Sequence, residues 1–177
     1  MRLYYATHDG QSRQIAERIA LRLTESGSPT EALDLARHVP DHTELASADG
    51  VIIVAAVRYG HHLSLADRLL AACRNLPDSV PLAVVSVNLS ARKPGRDTIE
   101  GNPYLAKWLK RRKVSPAIAV AIAGSLDYPR YSWFDREMIR LIMRITGGPT
   151  DPNTQITYTD WDKVDALAAR IAGWAAR

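Results

Sequence analysis

The chain has one cysteine, one phenylalanine and no long uncharged apolar run among its 177 residues. A single cysteine excludes an internal disulfide and a metal site built from cysteines. The longest uncharged apolar stretches, 51–57 and 117–124, are far shorter than the roughly 20 residues that a membrane-spanning helix needs. Met1 leads almost directly into the first apolar run, so no export signal is predicted. We therefore expect a cytoplasmic protein.

Two common phosphate-binding signatures are also missing. No Gly-x-Gly-x-x-Gly segment occurs, which argues against a Rossmann dinucleotide site, and no lysine follows Gly10 as it would in a P-loop. The adjacent histidines His61 and His62 are a fragment of a metal site. However, no carboxylate or third imidazole lies at a matching spacing, so we predict no metal.

The composition predicts one globular domain over residues 1–177, because 46% of the residues are hydrophobic and 24% are charged. The net charge of +4 favours anionic partners such as acidic lipid, nucleic acid or a carboxylate-bearing substrate. Aromatic residues interleaved with arginine after residue 124 would suit single-stranded nucleic acid, but the sequence offers no other base-stacking platform. We therefore predict no nucleic-acid partner, and the sequence predicts no particular oligomeric state.

Five apolar runs alternate with amphipathic stretches along the chain. The runs predict strands at 3–6, 30–35, 51–57, 82–87 and 117–123. Helices are predicted from Ser12 onward and at 64–76, 103–112 and 160–176. Uninterrupted apolar strands need helices on both faces, so this order predicts an α/β fold with a doubly wound, five-stranded parallel sheet. Ligands bind such sheets at the carboxyl ends of strands, which makes the loops after residues 6, 57, 87 and 124 the candidate site.

One segment breaks the regular alternation. Roughly residues 125–154 form an insertion with an aromatic start, a helical pattern and a stop signal at Gly147 and Gly148. An insertion of this length in a compact domain is usually functional. We expect it to interrupt the last strand, which residues 155–158 would rejoin before Asp160 caps the final helix.

The first candidate loop is a tight turn between a strand and a helix. It reads Thr7, His8, Asp9, Gly10, Gln11, Ser12. The first amides of a helix have no internal partners and lie at the positive end of its dipole, so this turn can bind phosphate. A single phosphate monoester such as that of FMN fits best. The alternative is an ordinary capped helix after a strand.

The loop after the third predicted strand contains Arg58, Tyr59 and Gly60, followed by His61 and His62. In a flavin protein Gly60 would leave room for the isoalloxazine ring, Tyr59 could stack on it and Arg58 could stabilise the negative charge of the reduced ring. The histidines could exchange protons there. Two surface or helix-capping histidines are the alternative.

Basic residues follow the fourth predicted strand, in the loop that begins at Asn88. Arg92 and Lys93 can bind carboxylates, whereas a solvated loop is the alternative.

Further along, residues 133–145 carry an apolar stripe and a nearly opposite arginine stripe. The apolar stripe consists of Phe134, Met138, Leu141, Ile142 and Ile145. The pattern fits either a core helix or a helix that docks on a membrane surface, where arginines meet anionic headgroups.

With these loops taken together, the sequence resembles the menaquinone-dependent protoporphyrinogen IX dehydrogenase family, flavodoxin-like proteins of the haem pathway in proteobacteria. The resemblance runs nearly end to end. The residues that carry it are 7–12, 58–61, 86–89, 91–94, Gly124, 128–131, Trp133, Asp135, Arg136, 147–148 and 158–161. Generic flavodoxins share only the first of these segments.

The resemblance implies a long-chain flavodoxin fold with FMN, whose phosphate is held by residues 7–12. The ring would be flanked by Arg58, Tyr59, Gly60, Ser86, Val87, Asn88, Leu89, Gly124, Ser125 and Tyr128. The resemblance also implies a six-electron oxidation of protoporphyrinogen IX to protoporphyrin IX, with menaquinone or ubiquinone as acceptor. Substrate contacts are expected at Arg92, Lys93, Arg130 and His61, and no residue stands out as a catalytic base. Such a protein would contact the cytoplasmic face of the inner membrane peripherally.

Other classes of protein share the fold. A flavodoxin-type electron carrier would bind FMN but typically presents an acidic face, whereas this chain is basic. An FMN-dependent quinone reductase fed by NAD(P)H would need a nicotinamide site, for which no separate motif is present. A non-enzymatic module with an empty phosphate loop is a further alternative.

Overall fold

A computed structural model describes residues 1–174. Its main sheet has five parallel strands in the order β2-β1-β3-β5-β6. These strands are β1 Arg2–Ala6, β2 Ala32–Asp34, β3 Val51–Arg58, β5 Leu82–Val87 and β6 Ile118–Ile122, and the short β4, His61–His62, pairs antiparallel with β3. The predicted sheet is therefore confirmed, with the order reversing beside β1 as a doubly wound fold requires.

Six α-helices lie in the described part of the chain. They are α1 Gln11–Glu25, α2 His42–Ala46, α3 Ser64–Ala72, α4 Pro103–Arg112, α5 Trp133–Thr146 and α6 Trp161–Ala172. The Asp160 carboxylate accepts a hydrogen bond from the amide of Lys163 and caps α6 as predicted. The α2 turn was not predicted, and residues 175 and 176 of the predicted last helix lie outside the described residues.

Two buried clusters cover the two faces of the sheet. Side chains alternate along each strand, so Leu3 packs in the cluster with α1 and α6, whereas its neighbour Tyr4 packs in the cluster with α3 and α4. Val54 and Ile53 divide in the same way on β3. Both faces are thereby removed from water, which is why the strands contain so few polar residues.

A tight hairpin follows β3 where a simple loop was predicted. Val57 and Arg58 pair antiparallel with His62 and His61, and the two turn residues, Tyr59 and Gly60, have φ values of 50° and 78°. A two-residue turn with both centres in the left-handed region matches the right-handed twist of the paired strands. The hairpin fixes the direction in which Arg58 and Tyr59 leave the sheet.

The insertion follows the last strand and does not interrupt it, which corrects one detail of the predicted fold. Residues Gln155–Thr157 form β8, which pairs antiparallel with β7, Ser125–Asp127, in a separate two-stranded sheet. The amide of Tyr158 donates to the carbonyl of Gly124, so the chain returns beside the start of the insertion. Pairing the two short strands with each other satisfies their backbone groups, and an alternating pattern does not reveal which partner a strand takes.

Candidate functional site

A cavity of about 630 Å³ lies at the carboxyl ends of β1, β3 and β5. Residues of the loops after these three strands and after β6 line it, as the topology predicted. The insertion contributes a further wall, because residues of α5 between Asp135 and Thr146 line the cavity. The site is therefore built from the sheet edge and the insertion together.

The turn into α1 presents free polar groups to this cavity. Gly10 has a φ of 94° and its amide donates to the Thr7 hydroxyl oxygen over 3.0 Å, which leaves the Thr7 hydroxyl proton for another acceptor. The Ser12 hydroxyl is buried, lines the cavity and has no hydrogen-bond partner in the described part of the chain. No side chain caps α1. An ordinary capped helix would bind its own first amides, so this geometry favours an anion site.

Gln11 ties this turn to the far end of the insertion. Its side-chain amide donates to the Thr159 hydroxyl over 2.8 Å, and that hydroxyl donates to the carbonyl of Ala123 over 2.7 Å. Both side chains are buried. The phosphate-type turn and the end of β6 therefore keep a fixed separation.

The β3–β4 hairpin contacts the first turn of α5 through one carboxylate. Arg58 donates to Asp135 over 2.5 Å, and the Tyr59 hydroxyl donates to the other oxygen of the same carboxylate. Hydrogen bonds from Tyr59, Ser132 and Arg58 lower the pKa of Asp135 to about 2. The carboxylate is therefore ionised throughout the neutral range.

A buried polar network supports the loop after β5. The Asn88 side-chain amide donates to the Ser86 hydroxyl oxygen over 3.0 Å, and its oxygen accepts from Asn102 and from the amide of Ala91. His62 shares a 2.8 Å hydrogen bond with the same Ser86 hydroxyl and stacks on Trp108 at 3.7 Å. Burial disfavours the imidazolium and lowers the pKa of His62 to about 3, so this histidine is neutral.

One of the basic side chains at the rim of the cavity forms hydrogen bonds within the protein. Arg92 donates to the carbonyl of Leu89 over 2.7 Å and to the Thr146 hydroxyl over 3.1 Å, which connects the loop after β5 to the end of α5. Lys93 and Arg96 also line the cavity. Three cations on one side favour a ligand with negative groups.

Helix α5 has two apolar surfaces. Met138, Ile139 and Met143 face the cavity. On the outer surface Trp133 and Ile145 are 71% and 77% exposed, and Phe134 and Leu141 are also exposed. Ile142 lies between the two surfaces, since it is exposed and also lines the cavity. Met143 alone in this helix is fully buried. The structure therefore excludes the core-helix interpretation of the predicted stripe.

Most of the predicted site residues lie at the cavity. Those that line it are Thr7, His8, Asp9, Gln11, Ser12, Arg58, Tyr59, Gly60, Val87, Asn88, Leu89, Arg92, Lys93, Gly124 and Ser125. Five others lie elsewhere: Gly10 is in the turn behind it, Ser86 is beneath the Asn88 side chain, and His61 is exposed at the hairpin. Tyr128 is fully buried in the insertion and donates to the carbonyl of Pro149, and Arg130 is exposed beside Asp127.

Several lining residues were not predicted as site residues. They are Ala56, Val57, Ser90, Arg96, Tyr104, Tyr131, Asp135, Met138, Ile139, Ile142, Met143 and Thr146. The helical spacing of 138, 142 and 146 indicates a common face but not what that face covers. Asp135 carried part of the family resemblance, although no role followed from it.

The residues present fit FMN. An unpartnered buried hydroxyl and an uncapped helix N-terminus suit its phosphate, and the hairpin with Tyr59 and the Asn88 loop provide walls for a planar ring. Among residues 1–174, no cluster of three or more potential metal-binding side chains and no helix long and apolar enough to cross a membrane is found.

Comparisons with known proteins agree with this geometry. The flavodoxin-domain family model matches residues 2–153. The fold is similar to that of oxidised flavodoxin 1 from Bacillus cereus, with a TM-score of 0.58 at 15% identity over 97% of this chain and 96% of that one. The flavodoxin domain implies FMN as the cofactor.

Two curated relatives match nearly the whole chain. The quinone-dependent protoporphyrinogen IX dehydrogenase of Escherichia coli K12 is 39% identical over 170 residues, covering 96% of this chain and 93% of that protein. The protein of the same name from Leishmania major is 35% identical over 96% of this chain and 73% of its own length. The matched region includes α5 and its contact with the hairpin. The chain therefore belongs to the quinone-dependent protoporphyrinogen IX dehydrogenase family of flavodoxin-domain proteins.

Proposed function

We propose that this protein oxidises protoporphyrinogen IX to protoporphyrin IX with bound FMN and passes the electrons to a quinone. The observation that carries the proposal is the position of α5. In this chain α5 of the insertion adds an apolar wall to a cavity whose rim carries Arg92, Lys93 and Arg96. The curated relatives, whose names state this activity, match the chain through that insertion.

The cofactor site that we propose uses the predicted residues. Thr7 through Ser12 would bind the phosphate, because all of them except Gly10 line the cavity at the positive end of α1, where the Ser12 hydroxyl has no partner in the described part of the chain. The ring would lie between the hairpin at Arg58–Gly60 and the loops at Ser86–Leu89 and Gly124–Ser125, with Tyr128 behind the last loop. When bound, FMN would accept two electrons at a time from the porphyrinogen and deliver them to the quinone.

The reaction balances over three quinones. Protoporphyrinogen IX loses six electrons and six protons, and three quinones become three quinols by taking them up. Arg92 and Lys93 at the rim suit the two propionates of the porphyrinogen, because guanidinium and ammonium groups bind carboxylates. Arg130 and His61 lie outside the cavity, so their proposed contacts would be with a propionate that extends beyond it.

We assign no catalytic base. His62 is neutral but enclosed by Ser86 and Trp108, and Asp135 is held as an ionised partner of Arg58. The protein groups at the cavity bind, orient and exclude water.

The quinone acceptor suggests contact with a membrane. The preferred quinone, menaquinone or ubiquinone, is lipid-soluble, and the exposed apolar side of α5 adjoins the cavity through Met138 and Ile142. We propose that this side docks peripherally on the cytoplasmic face of the inner membrane, with α5 lying in the headgroup region. The quinone would then enter from the lipid.

An anaerobic experiment tests the reaction directly. FMN-loaded protein is mixed with protoporphyrinogen IX without quinone, and flavin absorbance and porphyrin fluorescence are followed against a control without protein. We expect the oxidised flavin band to disappear as porphyrin forms, and turnover to continue only after a menaquinone analogue is added.

The other outcomes separate the alternatives. If the flavin stays oxidised in porphyrinogen but a quinone reoxidises chemically reduced protein, the haem function is wrong and an FMN-dependent quinone reductase becomes the better explanation. Rapid electron exchange with a small redox protein and none with quinone would indicate a flavodoxin-type carrier.

A further inference from the structure

Asp135 joins two elements that are far apart in the sequence. It lies in the first turn of α5, and its two carboxylate oxygens accept hydrogen bonds from Arg58 and Tyr59 at the tip of the β3–β4 hairpin. The Ser132 hydroxyl, which caps α5, donates to the same carboxylate over 2.8 Å. Three donors from two elements therefore converge on one side chain.

The ion pair in this contact is partly shielded from water, whereas Tyr59 is 52% exposed. The Asp135 side chain is 14% exposed and that of Arg58 is 24% exposed. Hydrogen bonds between charged groups are stronger than those between neutral groups, and the loss of one partner of a partly buried pair leaves the other charge uncompensated. Arg58 also has Tyr59 beside it, with its guanidinium 5.1 Å from the ring centre.

Within residues 1–174, the Arg58 and Tyr59 side chains form no hydrogen bond other than those to Asp135 and the one between themselves. The turn residues of the hairpin, Tyr59 and Gly60, are in the left-handed region, where Tyr59 is less stable than a glycine would be. Beyond the tip, the nearest side chain to Gly60 is Tyr104, whose ring would lie 3.8 Å from an added Cβ. The Asp135 carboxylate thus decides where Arg58 and Tyr59 point.

We infer that Asp135 is a positioning residue, which orients Arg58 and Tyr59 on the cavity wall and fastens α5 to the β3–β4 hairpin beside the cavity. The inference rests on the proposed FMN site, because those two side chains are useful only if a ring lies against them. It does not depend on which substrate is oxidised. Asp135 also offsets the charge of Arg58, so it sets how much positive charge the ring would meet.

The test compares two isosteric substitutions on the same helix. Asp135→Asn removes the charge and weakens the hairpin contact, whereas Glu137→Gln removes an equal charge from a side chain that pairs only with arginines of α5. Apoprotein is titrated with FMN by fluorescence quenching, the midpoint potential of the bound flavin is measured, and hydrogen exchange is followed in residues 133–138. None of these readouts uses porphyrinogen, so the haem function can fail without affecting the test.

We expect Asp135→Asn to weaken FMN binding about tenfold relative to Glu137→Gln, as the loss of one charge-assisted hydrogen bond would. The midpoint potential should shift to more positive values, because the unpaired Arg58 stabilises the reduced ring. Amides of 133–138 should exchange faster, whereas those of β3 and β5 should not change. Tyr59→Phe, which removes one donor only, should weaken FMN binding by a smaller factor and serves if Asp135→Asn does not fold.

Equal FMN affinity and equal potential in Asp135→Asn and Glu137→Gln would overturn the inference. Faster exchange in α5 without any change in FMN affinity or potential would also overturn it, since Asp135 would then be a structural brace only.

Discussion

Ser12 illustrates what one residue reveals about this site. Its type and its place before a helical pattern predicted an anion site, and the structure shows a buried hydroxyl without a partner in the described part of the chain. The sequence did not indicate Asp135 or Tyr104 as site residues, because each belongs to a segment whose position against the sheet is set by tertiary packing. The sequence therefore predicts a site residue within a turn, but not one that reaches the site through packing between distant segments.

We expect Ser12→Ala to weaken FMN binding about fivefold to tenfold, because one hydrogen bond to the phosphate is lost. Fluorescence titration of the apoprotein measures this. Ser26→Ala is the control, since the Ser26 hydroxyl donates to the carbonyl of Arg22 at the opposite end of the same helix. Equal weakening in both variants, or none in Ser12→Ala, would count against the phosphate position.

At the scale of whole elements, the bounds of a helix were predicted correctly where the residues that begin and end it are adjacent to it in the sequence. Helix α4 has the predicted bounds because Asn102 caps its start, Pro103 follows the cap and Lys113 ends it with a φ of 54°. The β3–β4 hairpin was missed because Tyr59 is an unusual residue for a left-handed turn position. The spacing of α5 showed two faces, yet the apolar face that looked suited to a core lies largely in solvent.

The exposed side of α5 leads to a prediction about lipid. The double variant Phe134→Ser with Ile145→Ser should reduce sedimentation with vesicles of anionic phospholipid at least about tenfold, because two large apolar side chains no longer enter the lipid boundary. Val39→Ser is the control, since Val39 is 71% exposed in the loop between β2 and α2 and is not part of α5. If the double variant sediments like the wild type, α5 does not dock on lipid.

At the scale of the whole molecule, burial of His62 in the polar network with Ser86 makes the free energy of unfolding depend on pH. His62 has a pKa of about 3 in the folded protein because burial disfavours its charged form, against about 6.5 when unfolded. Below pH 6.5 the unfolded chain therefore binds a proton that the folded protein does not. The resulting stability is complete above pH 6.5 and is lost progressively as the pH falls toward 3.

We expect His62→Gln to flatten this dependence between pH 6.5 and 4.5 by about 1.4 kcal/mol per pH unit. Urea unfolding at several pH values measures the slope, and the exposed neighbour His61→Gln is the control. Asp67, whose pKa is lowered mainly by its hydrogen bond from Arg112, weakens the fold only below about pH 4 and so does not affect this window. Parallel pH profiles of wild type and His62→Gln would refute the explanation.

The sequence by itself determined the layers, the parallel sheet and the phosphate-type turn, because these depend on side-chain periodicity and on helix-end chemistry within a few residues. That one domain spans residues 1–177 stays a prediction. Only the tertiary structure decided that β8 pairs with β7, that Tyr128 is enclosed in the insertion, and that α5 contacts the β3–β4 hairpin beside the cavity through Asp135. These contacts join residues 21 to 77 positions apart, and their stability comes from burial and charge pairing, which local patterns do not encode.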